Sequence, residues 1–146
     1  KNSYCEDSES IEKNISNADI LPDLDGTHRV NEFFCRDNNW KEVLQKLVKN
    51  SEVVLMDLRS FSENFKGCKY EIEALVKLVS LKKLIFIMDE TTDISFTKEV
   101  FTNAFRQAGK GSINSTEPQP IGLYKIDKNK DKDAFRILNL LCSKID

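Results

Sequence analysis

Two short, unbroken apolar runs dictate most of what this chain can fold into. Val53-Val54-Leu55-Met56 and Leu84-Ile85-Phe86-Ile87-Met88 each close on an aspartate, Asp57 and Asp89. A strand with one wet face alternates apolar and polar residues, whereas a strand covered on both faces does not need to. Each run is followed by a polar loop and then by apolar residues at helical spacing. After Asp57 these are Cys68, Ile72, Leu75, Val76 and Val79; after Asp89 they are Phe101, Ala104, Phe105 and Ala108. The same grammar extends outward. Arg29–Phe34 reads as an earlier strand, and Asp37 or Asn38 can cap a helix on Trp40, Val43, Leu44, Leu47 and Val48. Glu52–Asp57 and Leu84–Met88 are the next two strands. Gly109 and Gly111 come after a helix and read as its stop, opening a loop over 109–119 that carries Pro118. Ile121–Ile126 reads as the last strand, and Lys130–Ile145 as a last helix on Phe135, Leu138, Leu141, Cys142 and Ile145. Strand and helix alternate four times. That pattern predicts an α/β fold, a doubly wound and mostly parallel sheet of four to five strands flanked by helices.

Residues 1–27 stand apart. They are rich in Ser, Asn, Asp and Glu and poor in apolar anchors, so they are expected to form a poorly ordered or loosely docked arm, with 28–146 as the α/β domain. A length of 146 residues suits one domain of this kind. The charge is nearly balanced, 22 basic against 24 acidic residues, which argues against nucleic acid as the main partner, because phosphate binding needs a basic patch. No apolar run approaches the roughly 20 residues needed to cross a bilayer. The chain opens on Lys1 rather than Met, so membrane attachment is expected only through a segment upstream of it. The four cysteines, Cys5, Cys35, Cys68 and Cys142, form no CxxC pair, and His28 is the only histidine. A zinc site is therefore not expected. Cys35, Cys68 and Cys142 lie in or beside apolar segments, where buried reduced thiols are expected, in keeping with a cytoplasmic location.

In an open α/β sheet, ligands sit beyond the carboxyl ends of the strands. Asp57 and Asp89 would both face that edge, with Arg59 and Ser60 in the loop between. An acidic residue there can bind ribose hydroxyls, hold a cation or cap a loop, and Arg59 can meet a phosphate or pair with Asp57. Ser62 and Asn64 add polar adaptability. Glu71 is the catalytic candidate. With Ile72 at the centre of the buried stripe, Glu71 falls about 100° away, on the border between core and solvent. The helix dipole favours its ionised form and partial burial opposes it. An ordinary first-turns glutamate is the plainer alternative. Glu73, on the other flank, is expected to be solvated. Cys68 opens the same helix, which would lower its pKa, but its spacing fits the core. Trp40 reads as a core or edge anchor. No serine sits in a nucleophile-elbow context, so no Ser-His-Asp triad is expected.

Gly67-Cys68-Lys69-Tyr70-Glu71-Ile72 resembles the signature that opens a helix in Toll/interleukin-1 receptor (TIR) domains. Over about residues 29–145, the apolar strand VVLMDLRSFS, the N-x-x-G-C-x-x-E word and LIFIMDETTD look like a bacterial TIR-like domain of the kind found behind membrane-spanning segments. The resemblance implies a flavodoxin-like fold and a cytoplasmic signalling role. It also implies a nucleotide ligand and, in catalytic members, cleavage of an N-glycosidic bond by the signature glutamate, which here is Glu71. NAD then enters as substrate, and no cofactor is implied. The alternative is a non-catalytic module that self-associates and relays a signal from a fused segment. A further resemblance, of Ser51–Arg59 to the phosphoacceptor strand of response-regulator receiver domains, would make Asp57 the acceptor. That chemistry needs an acidic pair at the end of the first strand to hold magnesium, a Thr or Ser after the next strand and a Lys after the last. Thr91 and Lys125 or Lys128 could serve, but Arg29–Phe34 carries no acidic pair.

Overall fold

A computed structural model describes residues 2–18, 20–28, 30–109, 112–114, 121–126 and 130–145. Arg29, Gly111, Pro118 and Lys128, each used in the sequence argument, lie outside these residues. The elements in chain order are β1 (Asn2–Cys5), α1 (Ser8–Ser16), β2 (Glu32–Cys35), α2 (Trp40–Asn50), β3 (Val54–Asp57), α3 (Lys66–Leu78), a 3-10 turn (Leu81–Lys83), β4 (Leu84–Met88), α4 (Ile94–Ala108), β5 (Leu123–Lys125) and α5 (Lys130–Cys142). The protein is α/β, and every strand pairing among the described residues is parallel. The five strands fall into two sheets, β1-β2 and β3-β4-β5. The chain divides into two compact units, residues 1–47 and 48–146.

The first unit contains structure where a loose arm was expected. β1 lies parallel to β2, in register from Asn2↔Glu32 to Cys5↔Cys35. Asp7 caps α1: its carboxylate accepts from the Ser10 N–H at 2.8 Å, and the Ser10 hydroxyl accepts from the Asp7 N–H at 3.0 Å. This reciprocal box satisfies two donors that a helix start leaves open. Ile11 is fully buried beside Cys5 and Val43, with Ile15, Phe33 and Leu47 packed around them. The buried Asn39 side chain donates to the Cys5 carbonyl at 2.7 Å and accepts from the Arg36 N–H at 2.9 Å, tying β1 to the turn before α2. Among the described residues, the strand expected at Arg29–Phe34 occupies Glu32–Cys35 and comes second in the chain.

In the second unit β4 is the central strand, and Leu84 through Ile87 are all buried. Its neighbours run in register, Met56↔Phe86 and Asp57↔Ile87 on one side, Phe86↔Leu123 and Met88↔Lys125 on the other. β3 and β5 start two residues later than expected, at Val54 and Leu123. The α3 stripe buries Ile72, Ala74, Leu75 and Val76; α4 buries Thr97, Val100, Phe101 and Ala104. These two helices pack against each other. Phe86 meets Phe101 edge-on at 4.9 Å, the arrangement that ring quadrupoles favour. The last helix differs from expectation. It ends at Cys142, and Phe135, Leu138 and Ile145, expected in its packing stripe, are exposed.

The thiols also differ. Cys5 is the buried one, Cys68 is half-buried, and Cys35 and Cys142 are exposed. An apolar neighbourhood in sequence did not guarantee cover in space: Cys35 and Cys142, each the last residue of its element, are exposed.

Candidate functional site

The carboxyl ends of β3 and β4 are joined by a polar network within the second unit. Asp57 is the last residue of β3. Its Oδ1 accepts the Arg59 backbone N–H at 2.9 Å, which turns the chain sharply after the strand. The Arg59 Nε then reaches Oδ1 at 3.0 Å and Oδ2 at 2.9 Å, and Nη2 closes on Oδ2. Arg59 is thus folded back on Asp57 in a forked pair, the geometry its planar guanidinium favours. The Arg59 hydrogen bonds hold the Asp57 carboxyl below its ordinary range, outweighing partial burial. Both side chains remain about half exposed.

Ser60 follows with φ of 60°, the one non-glycine in the left-handed region among the described residues. Its N–H donates to the Thr91 hydroxyl at 2.9 Å. The Thr91 hydroxyl has a single proton, which goes to Asp89 Oδ1. The Ser60 hydroxyl, 3.0 Å from Thr91 Oγ1, is therefore the donor of that pair. Asp89 Oδ1 also accepts the Thr91 N–H at 2.9 Å, and the two Thr91 contacts lower the Asp89 pKa. One residue on, the buried Thr92 hydroxyl donates to the Leu58 carbonyl at 2.9 Å and accepts from the Asp89 N–H at 3.2 Å. The Asp93 N–H reaches the Phe61 carbonyl at 2.9 Å, and the Asp93 carboxylate caps α4 through the Phe96 N–H. The two loops behave as one ledge. Asp57, Arg59, Ser60 and Asp89 all belong to it, and the threonines at 91 and 92 hold it. The Asp-x-Thr spacing of Asp89-Glu90-Thr91 is the signal in the sequence for such a turn.

Glu71 stands outside this network. It lies in the second turn of α3, half-buried, and no described residue gives it a hydrogen bond or an ion pair. Burial alone pushes its carboxyl above the usual 4.5. The helix dipole and burial were expected to oppose each other here, and burial wins. Cys68 links Glu71 to the ledge: its thiol is pushed up by burial, then by the charges of Glu71 and of Asp57. The helix start was expected to lower that thiol's pKa. Phe65 at the N-cap supplies no side-chain cap, and burial, with the charges of Glu71 and Asp57 added, overcomes the dipole.

Among the described residues, no group of three or more His, Cys, Asp or Glu is placed to hold a metal ion. The first strand of the chain is β1, and it is followed by Glu6 and Asp7, the acidic pair that Arg29–Phe34 lacks. Both have other uses: Asp7 caps α1, and Glu6 pairs with Arg36 at 3.4 Å. Lys125, at the end of β5, is exposed.

No protein family, curated protein or solved structure matches the chain. The site is therefore described by its own geometry: a laced ledge with an exposed, forked Asp57–Arg59 pair, and a half-buried carboxylate, Glu71, without a partner among the described residues. No described helix is long and apolar enough to cross a membrane.

Proposed function

We propose that this is a TIR-like signalling domain of the cytoplasm that binds a nucleotide at the ledge after β3 and β4 and cleaves its N-glycosidic bond, with NAD as the substrate to test first. The observation that carries this reading is Glu71. A half-buried carboxylate costs stability unless it is paired, and the described residues give it no partner. Perturbed, unpartnered groups of this kind concentrate at functional sites. In the ionised form Glu71 accepts hydrogen bonds from ribose hydroxyls and stabilises the positive charge that develops on the ribose as the bond to nicotinamide breaks. Water then adds to the ribose carbon, giving ADP-ribose, nicotinamide and a proton. Arg59, already oriented by Asp57, has N–H groups left for a phosphate, and the Ser60 and Asp89 side chains line the same ledge.

The experiment is nicotinamide release from NAD by concentrated protein, with Glu71→Ala and Glu71→Gln as controls. Turnover that both substitutions abolish supports the reading. Absence of turnover, together with no nucleotide-induced rise in melting temperature, refutes it.

A second reading, a non-catalytic self-association module, is favoured by the exposed Phe135 and Leu138 of α5 and by Ile145 just after it. Exposed apolar stripes on a helix are common docking faces. A concentration-dependent mass in light scattering, lost in Leu138→Glu, supports it; a monomer at every concentration refutes it.

A further inference from the structure

Cys5 and Cys35 lie far apart in the sequence and side by side in the fold. They are register partners on the parallel strands β1 and β2. Adjacent strands run about 4.7–4.9 Å apart and register partners project to the same face. That spacing falls inside the Cα separation of roughly 4.4–6.8 Å that a disulfide accepts. Both thiols are free. Their environments differ: Cys5 is buried under α1 beside Ile11 and Val43, and Cys35 is exposed. The Asn14 side-chain amide points at the Cys5 sulfur from 3.9 Å, a donor suited to a thiolate.

We infer that Cys5 and Cys35 form a two-thiol redox site, in which exposed Cys35 meets a low-molecular-weight disulfide and buried Cys5 resolves it. The inference is independent of any activity at Glu71. The Cys35 thiolate attacks one sulfur of the oxidant RSSR, forming Cys35–S–S–R and expelling RS−. The Cys5 thiolate then attacks the Cys35 sulfur, closing the Cys5–Cys35 bond and expelling the second RS−. The two thiol protons leave on two RSH, so the cysteines lose two electrons and RSSR gains them. Burial pushes the Cys35 thiol up, and its interaction with Cys5 adds to this, so little thiolate is present at neutral pH and the first attack is slow. The pair suits a site that responds to sustained oxidation rather than a fast catalyst. The bond would tether β1 to β2 and close a loop of about 30 residues around α1.

The test uses oxidised glutathione on the native, full chain, followed by quenching with an alkylating agent and mapping of unreduced peptides. The expected product is a Cys5–Cys35 cross-linked peptide, while glutathione added at exposed Cys142 stays there unresolved. Cys35→Ser, a change at an exposed position, should lose the cross-link. Cys5→Ala, where it folds, should leave glutathione on Cys35. Oxidation should also raise the melting temperature read by Trp40 fluorescence, a reporter within the same unit, by roughly 5–15 °C. Dithiothreitol should reverse the rise. A persistent mixed disulfide on Cys35 in the wild-type chain overturns the inference, as does a cross-link that forms only in urea or a random distribution among the four cysteines.

Discussion

Replacing Thr92 by valine tests whether the ledge is held from beneath. Thr92 is 6% exposed, and valine copies its shape while removing the hydroxyl. Two contacts go: the bond to the Leu58 carbonyl at 2.9 Å and the bond from the Asp89 N–H at 3.2 Å. The Leu58 carbonyl keeps a second donor, the Phe61 N–H at 3.0 Å, so it is not orphaned. The Asp89 N–H loses its acceptor. At about 0.5–1.5 kcal/mol per net hydrogen bond, two bonds amount to about 1–3 kcal/mol. The added methyl returns a part of that, roughly 0.8 kcal/mol if fully buried. The expected loss is about 0.2–2 kcal/mol, or a fall of up to roughly 8 °C in melting temperature for a chain of this size. Thr92→Ser keeps both bonds and loses one methyl, so it should cost about 0.8 kcal/mol or less. Urea unfolding followed by far-UV circular dichroism gives the midpoints. Trp40 fluorescence, which reports from the other unit, shows whether the two units unfold together. Amide exchange at Asp89 supplies the local readout and should quicken in Thr92→Val but not in Thr92→Ser. Asp89 amide exchange that is unchanged in Thr92→Val, or that quickens as much in Thr92→Ser, would refute the account of the ledge.

Three further outcomes are expected. Asp93→Ala removes the α4 cap and should cost about 1 kcal/mol in urea unfolding, whereas Asp93→Asn should keep most of it. The Asp57 pKa is depressed in the folded protein, so the Arg59 pair contributes stability above the ordinary value of 3.8 and loses it as pH falls through the lower folded value. Because the pair is exposed, Asp57→Asn should cost no more than about 1 kcal/mol at pH 7, with the difference gone in strong acid. The Glu71 pKa is raised, so its desolvation cost is present above the folded value and vanishes as pH falls toward the ordinary 4.5. Glu71→Gln should therefore raise the melting temperature more at pH 8 than at pH 4, and in an active enzyme the acid limb of kcat/KM should lie above 4.5. Equal effects at the two pH values would make Glu71 an ordinary surface glutamate.

The parts of the fold that were legible in the sequence are those that bury unbroken apolar residues. Leu84–Met88 matches β4 to the residue because four consecutive side chains have no other place to go than a doubly covered strand. β1 and α1 were hidden because their buried face is almost only Cys5 and Ile11, set among polar residues that composition reads as solvent-exposed. The α5 stripe of Phe135, Leu138 and Ile145 was legible as a pattern, but a pattern says which side chains share a face and not whether anything covers it. The candidate site divides the same way. Its residues were visible one at a time, while the contacts that join them span 31 to 34 positions, as between Ser60 and Thr91 or Leu58 and Thr92. The Cys5–Cys35 pairing is non-local for the same reason, since it depends on which strand lies beside which.

The site treats its carboxylates in opposite ways, and that contrast bears on the choice among functions. Asp57 and Asp89 are held ionised by donors, one by Arg59 and one by Thr91. Groups satisfied in this manner are well suited to ordering loops, and a phosphoacceptor at Asp57 would have to break the forked Arg59 pair before it could attack. Glu71 is the reverse: raised, unpartnered and close enough to Cys68 for their charges to interact. Environments that push titratable groups apart are how a fold assigns chemical roles to like residues. Among the described residues nothing compensates Glu71, whereas Asp57 and Asp89 are satisfied by their donors. A ligand that brings hydroxyl donors to Glu71 would repair that deficit on binding, which is the ground for testing a ribose-bearing ligand before a phosphoryl donor.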